Sequence, residues 1–114
     1  MIIFWLSTVP SVAYYDAPKT VYDYVKQYSV EYKISSHTLY QVMMCESNGN
    51  PKAVGDHGLA KNVMQFHEQT FNKFSKELGK EMDYNSSKDQ IELAAWAFSR
   101  GYSHHWTCYT KLYN

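Results

Sequence analysis

Apolar side chains recur three and four positions apart in four segments of the chain, with polar positions between them. This spacing is typical of helices that bury one face. Turn formers and hydroxyl side chains mark the ends of these segments. The predicted helices begin near Pro18, at Ser35 or Ser36, at Gln69 or Thr70, and at Ser86 or Ser87, with Gly79 and Gly101 ending the last two. The C-terminal HHWTCYTKLY predicts a short fifth segment.

Regular alternation of polar and apolar residues is absent over any length that would predict a strand, and no internal repeat occurs. Residues 48–63 are rich in turn formers and predict a structured loop. The sequence therefore predicts an all-α, α-rich fold in a single domain.

The second predicted helix ends in an acidic residue. Leu39, Val42, Met43 and Glu46 lie at i, i+3, i+4 and i+7, so Glu46 shares the apolar stripe, and the SNGNP that follows cannot continue a helix. Burial disfavours a charged carboxylate and raises its pKa, which suits a general acid. We expect Glu46 to be mostly buried at the helix C-terminus. The alternative is a side chain that curls out to solvent.

The first 15 residues, MIIFWLSTVPSVAYY, form an uncharged apolar run. The run has the length of a signal-peptide core, and Ser11-Val12-Ala13 resembles a cleavage site, although no Lys or Arg precedes it. It is too short to span a bilayer, so no stable membrane insertion is expected. We expect residues 1–13 to be a signal peptide and residues 14–114 to be the domain of an exported protein. The alternative is an apolar N-terminal segment packed on the domain.

Composition limits the size of the fold and its partners. The 114 residues, 45% of them hydrophobic, suffice for one compact domain. Lys plus Arg and Asp plus Glu each number 11, so no net charge attracts nucleic acid. The 11 tyrosines and three tryptophans could stack on sugar rings or fill a small core. We therefore expect no nucleic-acid partner.

The two cysteines, Cys45 and Cys108, are expected to pair if the protein is exported. A disulfide would close a loop of about 63 residues, for which the chain-entropy model gives on the order of 4 kcal/mol. The alternative is two buried free thiols. His104 and His105 are adjacent and no third ligand is spaced to join them, so we expect neither a metal nor another cofactor.

One stretch of the chain carries a family resemblance. Residues 46–56, ESNGNPKAVGD, together with residues 63–66, VMQF, resemble the E-S-x-x-N-P-x-A and G-L-M-Q-F signature of the soluble lytic transglycosylase (SLT) domain. That domain belongs to the lysozyme-like superfamily, together with goose-type lysozymes. The resemblance implies a compact lysozyme-like domain with its catalytic glutamate at a helix end.

The resemblance assigns the single catalytic carboxylate to Glu46. It implies cleavage of peptidoglycan glycan strands between N-acetylmuramic acid and N-acetylglucosamine, with a 1,6-anhydro product, by a monomer that is secreted or acts in the periplasm or cell wall. A lysozyme-like hydrolase that inverts would instead need a second carboxylate about 6.5–9.5 Å away. Asp56 is the best candidate for that carboxylate, and its alternative role is that of a turn residue.

Substrate-binding positions also follow from the resemblance. Ser47 matches the serine after the acid, and Met64 and Gln65 match a segment that lines the sugar groove. Gln65 offers an amide for N-acetyl or hydroxyl groups. Their alternative roles are a helix-end hydroxyl for Ser47 and core packing for Met64.

The chain departs from the family pattern at two positions. Asn62 stands where many members have glycine, and asparagine is the least costly substitute at a positive φ. Phe98 stands where many members have a tyrosine, so a hydroxyl near the acid is lost unless Ser99 or Tyr102 supplies it. By this alignment Phe98, Ser99 and Tyr102 are also expected to be substrate-binding residues. The alternative function is therefore a degenerate lysozyme-like domain that binds glycan or is structural without catalysis.

Overall fold

The computed structural model describes residues 19–113, which form five α-helices and a small antiparallel sheet. The helices are α1 (Val21–Tyr32), α2 (Ser36–Ser47), α3 (Glu68–Leu78), α4 (Ser87–Ser99) and α5 (Thr107–Tyr113). The strands are β1 (Val54–Gly55), β2 (Ala60–Lys61) and β3 (Phe66–His67), and short 3-10 turns cover Asp56–Gly58 and Ser103–His105. The all-α fold class is confirmed. The predicted signal peptide lies outside the described residues.

Side-chain caps set the starts of α1, α2 and α4 close to the predicted positions. The Thr20 hydroxyl accepts from the Asp23 N–H in a reciprocal capping box, while Ser35 and Ser86 cap α2 and α4. Gly79 ends α3 in the left-handed conformation, with φ at 82°. These local signals were readable in the sequence because each depends on one or two neighbouring residues.

The central element is α4, in which residues 90–97 are all buried. It packs against α1 and α3. The sequence predicted one buried face for this helix, whereas its buried residues lie on every side. Phe98, which was predicted on the buried face, is only half-buried. The buried Glu92 carboxylate accepts from the Tyr32 hydroxyl at 2.7 Å and from the Lys80 ammonium at 2.6 Å. These two partners satisfy a charge that lies beside the core.

The sheet corrects the expectation that the chain has no strands. β1 pairs with β2 through Gly55 and Ala60, and β2 pairs with β3 through Lys61 and Phe66. Each strand has two residues, so no alternating pattern could develop in the sequence. The sheet folds the loop after α2 back towards the end of that helix.

A disulfide between Cys45 and Cys108 joins α2 to α5, as predicted. The two Cα atoms lie 5.9 Å apart. The link brings the C-terminal helix against the turn of α2 that carries Glu46. Among residues 19–113, no helix is long and apolar enough to cross a membrane.

Candidate active site

Glu46 is the penultimate residue of α2, and its side chain is half-buried, less than the sequence led us to expect. The helix ends after Ser47 because Asn48 and Gly49 both adopt positive φ angles. One carboxylate oxygen of Glu46 accepts a hydrogen bond from the Cys108 N–H at 3.3 Å. Burial raises the pKa of Glu46 above its ordinary value of 4.5, while this N–H and the Lys111 charge oppose the rise.

The Glu46 side chain lines a cavity of about 360 Å³. Its walls come from the end of α2, the sheet, the start of α3 and the segment that leads into α5. The lining residues are Glu46, Asp56, Ala60, Gln65, Phe66, His67, Thr70, His105, Trp106 and Thr107. An acid with a raised pKa therefore faces a space bordered by polar and aromatic side chains.

A second carboxylate, that of Asp56, reaches the same cavity. Its Oδ2 lies 2.6 Å from Nε2 of His67. Asp56 also occupies the tight turn between β1 and β2 with φ at 50°. This contact connects the turn to the residue before α3. Asp56 is therefore both a turn residue and part of the cavity wall.

Gln65 lines the cavity as well, but its amide is used by the loop. Nε2 donates to the carbonyl oxygens of Ala53 at 3.0 Å and Asn62 at 2.8 Å. Gly55 makes room for the other end of this amide, since a Cβ at that position would lie 2.7 Å from Oε1 of Gln65. Gln65 thus holds together the loop that forms one wall of the cavity.

Ser47 is buried beside the acid and does not line the cavity. Its hydroxyl lies 2.6 Å from the carbonyl oxygen of Val63 and accepts from the Gly49 N–H at 3.1 Å. The side chain therefore joins the end of α2 to the VMQF segment.

Asn62 adopts φ at 73°, the left-handed conformation that glycine or asparagine tolerates best. Its Oδ1 accepts from the Val63 N–H at 2.7 Å and from the Ser87 hydroxyl at 2.9 Å. Asparagine therefore adopts the left-handed conformation that glycine would adopt, and its side chain adds a hydrogen bond to Ser87 at the start of α4.

Besides Ser47, four other residues that were predicted to bind substrate are not among the residues that line the Glu46 cavity: Met64, Phe98, Ser99 and Tyr102. Met64 is fully buried in the core, and the Ser99 hydroxyl donates to the Trp96 carbonyl. The Phe98 ring packs on Trp106 at 5.1 Å, and the Tyr102 ring stacks on Phe74 at 5.2 Å. The cavity therefore receives no hydroxyl from these positions.

Other cavity residues had no signal in the sequence or only a weak one. His67 directly follows the VMQF segment, yet its pairing with Asp56 depends on the fold. Thr70 comes from the first turn of α3, and Thr107 begins α5. Trp106 is 5% exposed and donates its indole N–H to the Met64 carbonyl at 2.9 Å, so it belongs to both the core and the cavity.

Within residues 19–113, no three His, Cys, Asp or Glu side chains lie together in a way that could hold a metal ion.

The fold and the site together define the class of protein: an all-α, lysozyme-like domain with a half-buried glutamate at a helix end beside a cavity. The family model described as "Transglycosylase SLT domain" matches residues 23–110, and the chain belongs to this family. No curated protein and no solved structure matches the chain at a significant level. The family points to peptidoglycan as the substrate class.

Proposed function

We propose that the protein is a lytic transglycosylase that cleaves peptidoglycan glycan strands between N-acetylmuramic acid and N-acetylglucosamine. Glu46 is its catalytic acid and base. One observation carries the proposal: the half-buried Glu46, with its raised pKa, faces a cavity in a domain of the SLT family. A carboxyl group in this setting stays protonated to a higher pH than an exposed one.

In the proposed reaction, Glu46 acts twice. The protonated carboxyl gives its proton to the glycosidic oxygen as the bond from that oxygen to C1 of the muramic residue breaks. The resulting carboxylate takes the proton of the muramic C6 hydroxyl, whose oxygen bonds to C1. The product is a 1,6-anhydro ring, no water is consumed, and Glu46 ends protonated again.

The Cys108 N–H suits the second step of the proposed reaction, in which Glu46 is a carboxylate. It lies 3.3 Å from a carboxylate oxygen of Glu46, and its hydrogen bond stabilises the charged form and so lowers the pKa of Glu46. Burial favours the neutral acid and this N–H favours the base, so both forms that the reaction needs are accessible.

The proposal is tested by release of soluble fragments from purified peptidoglycan. Glu46→Gln keeps the size of the side chain and removes the proton donor, so we expect a loss of about 10²-fold to 10⁴-fold. Glu77→Gln, an exposed position on α3, is the matched control and should leave the rate unchanged. Equal rates for wild type and Glu46→Gln would refute the proposal and favour a domain that only binds glycan or is structural.

A hydrolytic, lysozyme-like reaction is a second candidate because Asp56 lines the same cavity as Glu46. In that reaction Asp56 would take a proton from water as the water attacks C1. Asp56→Asn separates the two candidates, since asparagine tolerates a positive φ and still accepts a hydrogen bond from His67. A hydrolase would lose most of its activity, whereas a transglycosylase would keep it.

We also propose that the protein works outside the cytoplasm. The disulfide between Cys45 and Cys108 fits an oxidising compartment. Trapping of free thiols in cell fractions tests this. Oxidised protein in the extracellular or periplasmic fraction supports the proposal, and reduced protein in the cytoplasm contradicts it.

A further inference from the structure

A second cavity, of about 300 Å³, adjoins the one that holds Glu46. The two cavities share His67 and Thr70 as walls. Its other walls include Leu59 and Lys61 from the region of β2, Glu68 from the start of α3, and Tyr84. A ligand that extends past His67 and Thr70 from the catalytic cavity therefore enters a second space whose other walls are different.

Opposite charges line this second cavity. Lys61 and Glu68 are both exposed, and neither forms an ion pair with another residue in the range 19–113. Leu59 is 60% exposed and adds an apolar surface beside them. The second cavity thus presents an ammonium group, a carboxylate and an apolar side chain to a ligand.

This chemistry differs from that of the catalytic cavity. Neutral N-acetylated sugars are bound by aromatic faces and uncharged polar groups, and the catalytic cavity offers the exposed His105 ring and the exposed Thr107 hydroxyl. In the second cavity the aromatic side chain is Tyr84, which is half-buried with its ring against Phe71. Its hydroxyl is occupied by the Phe66 carbonyl. The second cavity is therefore better suited to a charged ligand than to a further sugar.

Peptidoglycan carries such a ligand next to the bond that is cut. Each muramic residue bears a stem peptide with free carboxylates, a diamino acid that carries an ammonium group in many cell walls, and alanine methyl groups. We propose that the second cavity binds this stem peptide, with Lys61 facing a carboxylate, Glu68 facing the ammonium group and Leu59 contacting the methyl groups. The inference rests on the proposed function, because it assumes a glycan strand beside Glu46.

Binding to the full chain carrying Glu46→Gln tests the proposal without turnover. The ligands are soluble glycan strands with their peptides, containing a diamino acid with a free amine, and the same strands after an amidase has removed the peptides. We expect the peptide-bearing strands to bind more tightly. Lys61→Ala and Glu68→Gln should each weaken their binding about threefold to fivefold, as for exposed charge pairs. Added salt should reduce the effect.

The controls are Lys73→Ala and Glu77→Gln, exposed positions on α3 away from both cavities. Neither should change binding.

Stripped strands keep a lactyl carboxylate. Weaker binding of both ligands by Lys61→Ala, with no effect of Glu68→Gln, would show a site for that carboxylate and overturn the peptide site. Equal binding of the two ligands would also overturn it. If wild type cleaves no strand while Glu68→Gln still weakens binding of peptide-bearing strands, the proposed function fails and the peptide site stands.

Discussion

Two opposing effects act on the pKa of the Glu46 carboxyl. Burial raises the pKa, and the Cys108 N–H and the Lys111 charge lower it, with burial the larger effect. The folded protein therefore holds a proton on Glu46 at pH values where the unfolded chain has released it. A group with this property lowers stability near neutral pH, and the same raised pKa is what the proposed role as a general acid requires.

Glu46→Gln should therefore change the dependence of stability on pH. Because the folded pKa lies above 4.5, wild-type stability falls as pH rises from about 4.5 through the folded pKa. The variant lacks this fall, so at pH 7 it should be more stable by up to about 1 kcal/mol, a limit set by solvent screening. Below pH 4.5 the two should agree. Urea unfolding at pH 4 and pH 7 measures the difference, and a variant less stable than wild type at pH 7 would contradict the account.

Gly55→Ala should disturb the cavity wall through Gln65. The added Cβ would lie 2.7 Å from Oε1 of Gln65, whose amide is held by two carbonyl groups. We expect a stability loss of about 1 kcal/mol, the lower end for overpacking because the displaced atom ends a flexible side chain. Thermal unfolding measures it. Val54→Ala, an exposed neighbour, is the control, and equal unfolding temperatures for both variants would refute the packing argument.

At the scale of elements, α5 depends on its covalent link to α2. Cys108 supplies both the sulfur of the disulfide and the N–H that contacts Glu46. The short helix therefore contributes both to the disulfide and to the surroundings of the proposed catalytic acid.

Replacing both cysteines by alanine should lower the free energy of unfolding by about 2–4 kcal/mol, since the closed loop spans 63 residues. The activity should also fall, because α5 is then less firmly held against Glu46. Urea unfolding with and without reductant measures the first effect. Reductant should destabilise wild type and leave the double variant unchanged, and a wild type indifferent to reductant would contradict the structure.

The charge network at the centre of α4 gives a separate prediction. Lys80→Met leaves the buried Glu92 carboxylate with the Tyr32 hydroxyl as its one remaining partner among residues 19–113. We expect a loss of about 1–2 kcal/mol, less than for a fully buried pair because Lys80 is half-exposed. Lys73→Met is the control in the same unfolding assay. An equal effect of the two substitutions would show that the Lys80 contact contributes nothing.

Sequence signals located the helices well because caps and turn glycines act locally. Ser35, Ser86 and Gly79 each mark a helix end that the structure confirms. The strands stayed hidden because two residues cannot show alternation, and the burial of α4 on every side depends on partners distant in the chain. Periodicity finds one face of a helix, and tertiary packing decides how many faces are covered.

For the molecule as a whole, the position of Glu46 at a helix end was predictable from the sequence, and most of the residues around it in the cavity were not. Glu46 stood out through the apolar stripe and the turn after it. Asp56 contacts His67 because the small sheet places the turn after β1 beside the end of β3. Thr107 lines the cavity because the C-terminal helix packs against α2. Met64 matched the family segment in sequence, yet it lies in the core.

The domain thus combines a half-buried glutamate, the cavity that it lines and a disulfide between the second and the last described helix. In the proposed reaction the nucleophile is the C6 hydroxyl of the substrate, so the protein need not activate water. A mechanism without an activated water fits a site in which the other carboxylate, that of Asp56, already contacts His67.

The mass of the products released from purified peptidoglycan distinguishes the proposed transglycosylase from a hydrolase. Wild type should release muropeptides lighter by one water than their hydrolysed counterparts, and Glu46→Gln should release none while staying folded. Products with ordinary reducing ends, lost on Asp56→Asn, would contradict the transglycosylase mechanism and establish hydrolysis instead.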